Sequence, residues 1–585
     1  MKRIWMYLKM YKKECVLAPL FKMLEATFEL FVPLVVSAII DVGIAGADKG
    51  YIVKMCFVLV ALAIIGLTSS ITAQYFAAKA AVGCSTQMRH HLFKHIQSLS
   101  FTEMDTIGTS TLITRMTSDI NQVQNGVNLV LRLFLRSPFI VFGAMIMAFT
   151  IDVKAALVFV VTIPLLSVVV FGIMLVSIPL YKKVQSALDK VLGITRENLT
   201  GSRVIRAFNK EDDEIADFNN SNDALTKIQL YVGKISALMN PLTYVIINGA
   251  VVVLVWTGAI RVNSGYITQG EVVALVNYMS QILVELIKLA NLIININKSI
   301  ACGNRIQAIF ELQPSITDHA VTPVAEEKTE HSGEVPEVVF SHVGLTYAGA
   351  GEESLTDIDF TVKKGETIGI IGGTGSGKSS VVNLIPRFYD ATKGSVQIEG
   401  KDVREYSLEE LRGKIGMVLQ KAVLFKGTIR ENMLWGNENA TDEDIMQALE
   451  VAQAKEFVDK KEGGLDFEIE QGGKNLSGGQ RQRMTIARAV VKKPDILILD
   501  DSASALDFAT DAKLRMAIRD MENRATVFIV SQRAASIMYA DKIIVLDDGQ
   551  IVGMGTHEEL LKQCEVYQEI YYSQLKKTED EKEGR

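Results

Sequence analysis

The sequence predicts a multidomain chain: an all-α transmembrane domain of six helices, followed by an α/β domain built around a phosphate-binding loop. Three observations carry this expectation. At 585 residues the chain exceeds what one hydrophobic core organises. Long apolar runs crowd into the first 300 residues, whereas the remainder has the composition of a charged globular domain. Gly372, Gly373, Thr374, Gly375, Ser376, Gly377, Lys378 and Ser379 spell GxxxxGK[ST] between a β-rich run and an apolar-periodic helix.

A membrane span needs about 20 predominantly apolar residues. Six stretches qualify, near 16–40, 53–80, 127–151, 154–180, 237–261 and 271–297. They pair as three hairpins with short outer connections (41–52, 151–154, 261–270) and long inner ones (81–126, 181–236). The second inner connection is rich in Lys and Arg, from Lys182 to Lys234, and the N-terminus is also basic. The positive-inside bias therefore places both long connections and both termini in the cytoplasm of a multi-pass cell-membrane protein. Charges recur there at helical spacing, which predicts helices continuing out of the bilayer. Residues 1–14 lack the apolar core and cleavage site of a signal peptide and predict an interfacial helix. A transmembrane domain over 15–310, a linker over 311–335, a nucleotide domain over 336–575 and a charged tail over 576–585 complete the expected organisation.

Charges inside spans are costly and mark candidate functional positions. Glu25 and Glu29 lie four apart on the first span, Arg132 and Arg136 four apart on the third, and Glu285 and Lys288 three apart on the sixth. They are candidates to line a water-accessible cavity, against the alternative that they snorkel or pair structurally. The five cysteines form no metal or redox spacing and suit a reduced compartment. A net charge of −6 gives no support for nucleic-acid binding.

In the second half, the glycines after the strand let backbone N–H groups turn toward phosphate oxygens. Lys378 supplies positive charge, and Ser379 a magnesium ligand. Ile496–Leu499 are four aliphatics ending in Asp500, a strand buried on both faces that presents its acid at the carboxyl end. Asp500 can hold magnesium there. Leu476, Ser477, Gly478, Gly479 and Gln480 open an Arg-studded helix as a second anion-binding nest.

A phosphate loop, LSGGQ and an aliphatic strand ending in Asp, in that order after six spans, resemble the ABC transporter superfamily, specifically its exporter half-transporters. The resemblance implies ATP and Mg2+ as cofactors, and two nucleotide domains that sandwich two ATPs. Each ATP is then held by one phosphate loop and the opposite LSGGQ. It further implies that Tyr347 stacks on adenine, that Gly372–Ser379 and Ser380 cradle the phosphates, and that Gln420 senses magnesium. Ser504–Asp507 look like the D-loop, with Asp507 counted among the catalytic positions. Phe101–Thr117 and Ser202–Glu211 fall where the family places its coupling helices.

Two departures stand out. The family has Glu after the magnesium Asp, where this chain has Asp501, and a switch His, where it has Gln532. Asp is one methylene short, and a displacement of about 1 Å costs on the order of 100-fold in rate. Gln hydrogen-bonds but cannot become cationic. Gln471 also replaces a common acid just before the signature. With LSGGQ intact, the resemblance points to the degenerate-site subunit of a heterodimeric multidrug exporter. Its partners would be a second half-transporter chain, the lipid bilayer, and a hydrophobic or amphipathic small molecule, lipid or peptide. A slow homodimer, an ATP-gated regulatory subunit and an importer on the same fold are the rival readings.

Overall fold

The structure, a computed structural model, describes residues 2–318, 335–502, 504–521 and 524–583. Most of the expected linker lies outside the described residues. The chain divides into two compact units. One comprises Met1–Gln97 and Thr109–Leu312; the other comprises Ser98–Gly108 and Gln313–Arg585.

The first unit is helical. It contains α1 (Lys2–Lys9), α2 (Lys12–Ala38) and α3 (Lys49–Gln97), while α4 (Phe101–Ile107) belongs to the other unit. It continues with α5 (Thr109–Thr114), α6 (Ile120–Leu133), α7 (Arg136–Ile151), α8 (Val153–Thr200), α9 (Ser202–Ala207), α10 (Glu211–Ala237), α11 (Met239–Asn263) and α12 (Gln269–Glu311). Six helical stretches are long and apolar enough to cross a membrane: Lys12–Ile44, Lys49–Gln97, Thr109–Ile151, Val153–Thr200, Glu211–Asn263 and Gln269–Glu311. Each contains one expected span and extends beyond it, as the helical charge spacing of the inner connections implies.

The packing of this unit suits a bilayer. Its core uses small side chains, Ala26, Ala144, Ala148, Ala155, Ala156 and Ala274, around Phe159 and Tyr278. Small residues let helices approach closely where lipid offers no hydrophobic drive. Large apolar residues such as Phe57, Val168, Val245 and Trp256 stay exposed along the spans, and hydrocarbon is their natural solvent. The span ends at the short connections are tied by polar groups. Asp41 accepts hydrogen bonds from Thr268 Oγ1 (2.6 Å), the Gly270 amide (2.7 Å) and Ser37 Oγ (3.0 Å), so the end of one span caps the start of α12. Asp152 caps α8 through the Ala155 amide and pairs with Arg261, whose guanidinium lies 4.0 Å from the Tyr266 ring centroid.

The second unit is α/β. Its strands are β1 (Val338–Leu345), β2 (Leu355–Val362), β3 (Thr367–Gly372), β4 (Lys393–Ile398), β5 (Lys401–Asp402), β6 (Ile415–Val418), β7 (Gly427–Thr428), β8 (Glu468–Ile469), β9 (Ile496–Asp500), β10 (Thr526–Val530), β11 (Lys542–Asp547) and β12 (Gln550–Gly555). The main sheet runs β12-β11-β3-β10-β9-β6 and is parallel except for the edge strand β12. A β2-β1-β4-β5 antiparallel sheet stands beside it, and β7 and β8 form a two-stranded ribbon. Every residue of β9 and β10 is buried, as expected for parallel strands covered on both faces.

Helix α4 is an integral part of this unit. Phe101 lies 4.6 Å from Phe388 between ring centroids, and the Tyr389 hydroxyl donates to Asp105 at 2.5 Å. The Ser100 hydroxyl accepts from the Ile316 amide, and the Glu103 carboxylate accepts from the Ser315 amide. The expected contact segment Phe101–Thr117 is therefore split. Phe101–Ile107 joins the α/β unit, whereas Thr109–Thr114 opens the third span. The C-terminal helix, Glu565–Glu583, runs across the expected tail boundary at 575/576.

Candidate functional site

Four neighbouring parallel strands, β3, β10, β9 and β6, end at one edge of the main sheet, where open α/β sheets bind ligands. The phosphate loop follows β3, Ser531 and Gln532 follow β10, Asp500 and Asp501 close β9, and Gln420 follows β6. These residues, with Tyr347, line a cavity of about 340 Å³.

The loop geometry explains its glycines. Gly377 has φ +93° and caps the helix Lys378–Leu384, and a Cβ there would stand 2.6 Å from Leu355. Both strain and clash exclude a side chain. Lys378 is buried, and its amine donates to the carbonyls of Gly372 (3.0 Å) and Gly373 (2.5 Å). Burial pulls its pKa down, against the Asp501 and Asp500 carboxylates, which raise it. Ser379 Oγ donates to Asp500 Oδ1 at 3.0 Å. Burial pushes the Asp500 carboxyl up, with the Ser379 hydrogen bond opposing it.

Ser379 and Asp500 thus already converge as hard oxygen donors suited to Mg2+. Among the described residues no group of three His, Cys, Asp or Glu side chains gathers to hold a metal. A magnesium ion here would complete its shell with phosphate oxygens and water, the usual habit of that ion in nucleotide sites. Bound there, it would neutralise phosphate charge.

The two departing positions lie in the same cavity. Asp501 has φ +44°, a left-handed conformation that Asp tolerates better than most residues. Its amide donates to the Val530 carbonyl, and its carboxylate lies 3.5 Å from Gln420 Nε2. Gln532 is exposed and also lines the cavity. Tyr347 donates or accepts at Ser380 Oγ (2.9 Å) and meets Tyr389 edge-on at 5.0 Å. Its ring is thereby fixed at the mouth of the phosphate loop.

The signature lies elsewhere. Ser477 and Gln480 form a capping box that opens the helix Gly478–Val490. Leu476 is buried beneath, while Ser477 and Gly478 face outward. Among the described residues lining the phosphate-loop cavity, none belongs to Leu476–Gln480. Asp507 caps the helix Phe508–Arg519, accepting from the Thr510 amide and hydroxyl, both at 2.8 Å. The 3₁₀ turn Gln471–Gly473 precedes the signature.

The intramembrane charges form a network on three helices. Arg136 on α7 donates to Glu285 on α12 and to Glu29 on α2, each at 2.7 Å. Ser137 and Lys288 also donate to Glu285, both at 2.8 Å. Glu25 instead pairs with Lys22, which also reaches Ser70. Arg132 stands apart, its buried Nε without a hydrogen-bond partner.

Sequence reasoning missed two residues that shape the site. The Arg533 guanidinium donates to the carbonyls of Ser504 and Leu506, tying the switch segment to the loop after Asp501. Gln574, on the C-terminal helix, hydrogen-bonds the backbone on both sides of Arg533. The only available signal was the spacing of Tyr567, Tyr571 and Gln574 on one helix face.

Comparison with known proteins agrees with this architecture. Residues 15–286 match the family "ABC transporter transmembrane region", and residues 355–504 match the family described as "ABC transporter". An uncharacterized ABC transporter ATP-binding protein of Mycobacterium tuberculosis is 35% identical over 571 residues, 97% of both chains. A Bacillus subtilis relative named for multidrug export is 32% identical over 581 residues, 98% of both. The ATP-dependent lipid A-core flippase of Desulfotalea psychrophila is 33% identical over 489 residues, 83% of this chain and 84% of its own. A multi-pass helical membrane domain fused to an α/β ATP-binding domain, with relatives matching along nearly its whole length, makes this chain a member of the ABC transporter family, with the exporter fold.

Proposed function

We propose that this chain is the degenerate-site subunit of a heterodimeric exporter that moves amphipathic compounds across the cell membrane. One observation carries the reading: Asp501 and Gln532, the two departures, share one cavity, while Ser477 and Gly478 of the intact signature face outward from the same unit. In this reading Tyr347, Gly372–Ser380 and Gln420 bind ATP, and Asp500 with Ser379 holds magnesium. Asp501 is one methylene short for placing a water, and Gln532 keeps a hydrogen bond but no proton to give. The cavity therefore holds its ATP as a long-lived clamp. Leu476–Gln480 complete the partner's site, whose own acid and switch residue do the hydrolysis.

The cargo class follows from the membrane domain and from relatives named for lipid A-core flipping and multidrug export. Glu29 and Lys288, the more exposed ends of the charged network, are the groups a polar headgroup would meet. Both termini and the ATP-binding unit lie in the cytoplasm in this reading, as the basic inner connections require.

The test is purification of the chain alone and with a co-expressed half-transporter carrying Glu and His at these positions. Substrate-stimulated ATPase is expected only in the pair. Asp501→Glu with Gln532→His should then raise turnover of the pair and its dependence on this chain's Lys378. Robust stimulated ATPase from the wild-type chain alone sinks the heterodimer in favour of a slow homodimer.

A further inference from the structure

The Gln574 side chain of the C-terminal helix reaches the switch segment. Gln574 Nε2 donates to the Gln532 carbonyl at 2.8 Å, and Gln574 Oε1 accepts from the Ala534 amide at 2.9 Å. One amide group thus spans the two backbone positions that flank Arg533. This bridge uses a donor and an acceptor on two separate atoms of one uncharged planar group, which the amides of Asn and Gln provide. Asn is one methylene shorter.

The helix is firmly seated, so the bridge has a fixed base. Tyr567 is fully buried in the core under the main sheet, and its hydroxyl lies 2.7 Å from His557 Nδ1. Tyr571 packs against the same core and meets the His557 ring edge-on at 5.0 Å. Tyr567, Tyr571 and Gln574 fall at i, i+4 and i+7, one face of the helix. The two rings that anchor the helix therefore aim Gln574 at the switch.

The switch segment leaves the sheet at Val530 and is held by a few directed contacts. The Ser531 amide donates to the Ile370 carbonyl, and the Arg533 amide donates to Ser531 Oγ. The Arg533 guanidinium ties the segment to the carbonyls of Ser504 and Leu506, and Ser504 Oγ bonds the Asp501 carbonyl. The backbones of both departing positions are thus joined in one network, with Gln574 as its outer anchor.

We infer that Gln574 is a positioning residue: it fixes the backbone of Gln532 so that the Gln532 side chain stands at the γ-phosphate end of the cavity. The inference rests on the nucleotide reading of that cavity. Its consequence is that the C-terminal helix tunes discrimination between nucleotide triphosphate and diphosphate. Only the former presents a γ-phosphate to the switch, so a loosened switch costs affinity for the triphosphate alone.

The test uses the full-length chain, titrated with MgADP and with the magnesium complex of adenylyl imidodiphosphate, a non-hydrolysable ATP analogue. Gln574→Ala should weaken the triphosphate analogue by about tenfold, the scale of a lost hydrogen-bonded contact to a charged group, and MgADP by less than about twofold. Gln574→Glu keeps the size and the acceptor but loses the donor; it should show the same selective loss and serves where the Ala variant does not fold. In a Gln532→Ala background, substituting Gln574 should have no further effect. Equal losses for both nucleotides, or an undiminished effect in that background, overturn this inference alone. Failure of the wild-type chain to bind either nucleotide overturns the site reading and this inference with it.

Discussion

Arg136 is buried between two carboxylates of different helices, Glu29 and Glu285. Such a group stabilises only while its partners are ionised and near, because removing one member strands the other in an apolar surrounding. Arg136→Leu should therefore destabilise the protein in detergent by about 3–5 kcal/mol. Arg136→Leu with Glu285→Leu should recover much of that loss; a double variant less stable than the single one rules out charge pairing as the role of the network. Asp507 presents the opposite case, an exposed acid with a local task. Hydrogen bonds from Thr510 hold its carboxyl below the usual carboxylate range. A depressed acid stabilises above its unfolded pKa of about 3.9 and loses that contribution as pH falls through the folded value. Asp507→Ala should lower the apparent unfolding midpoint at pH 7 by about 2–4 °C, whereas Asp507→Asn, an equally good cap, should not. A large drop in ATPase of the assembled pair with Asp507→Asn instead assigns the carboxylate itself a part in turnover.

At the scale of elements, what was legible in the sequence was what is encoded locally. The strand, glycine turn and helix around Gly372–Ser379 occupy consecutive residues, so their pattern is complete in one window. The spans were legible because length and apolarity suffice to define them, and Glu285 with Lys288 because i,i+3 neighbours meet on a helix. Features that depend on distant partners were hidden. The pairing of Arg136 with Glu285 and Glu29 joins three helices and is contained in no local window, whereas the break of the third span at Phe134–Leu135 is local, one turn before Pro138. The segment Phe101–Thr117 reads as one amphipathic stretch, yet it divides at Gly108 (φ +79°), because Phe388 and Tyr389, almost 300 residues later, claim its first part. That division makes α4 the segment to test for the coupling role that the family resemblance implies. Phe101→Ala removes the ring that Phe388 packs on, and Asp105→Ala removes the acceptor of Tyr389. Either variant should leave nucleotide affinity within about twofold, since neither residue lines the cavity. Each should lower substrate stimulation of the pair's ATPase and its transport into vesicles. Unchanged stimulation removes α4 from the coupling path.

At the scale of the whole molecule, the decisive property is that the phosphate loop and the signature, the chain's two proposed contributions to ATP chemistry, lie in different places. Its phosphate loop lines the cavity that holds Asp501 and Gln532, while its signature, with Ser477 and Gly478 exposed, lies outside that cavity. The helical unit carries an exposed apolar pair: Val204 on α9 and Phe208 just after it are 61% and 72% exposed on a segment beyond the expected span. Apolar side chains so placed outside the bilayer suit burial against another chain. In the proposed heterodimer, one such chain and a competent partner would share one slow ATP and one fast ATP, and mutations in this chain would fall on them unequally. Lys378→Ala strikes the slow site and should lower the pair's steady-state ATPase by less than about fivefold. Ser477→Arg places a cation and bulk in the signature nest and strikes the fast site, where loss of an oriented phosphate contact costs on the order of 100-fold. The same two substitutions in the partner should show the reverse order. Equal losses from Lys378→Ala and Ser477→Arg mean that both sites turn over together, and the asymmetry argued from Asp501 and Gln532 then fails.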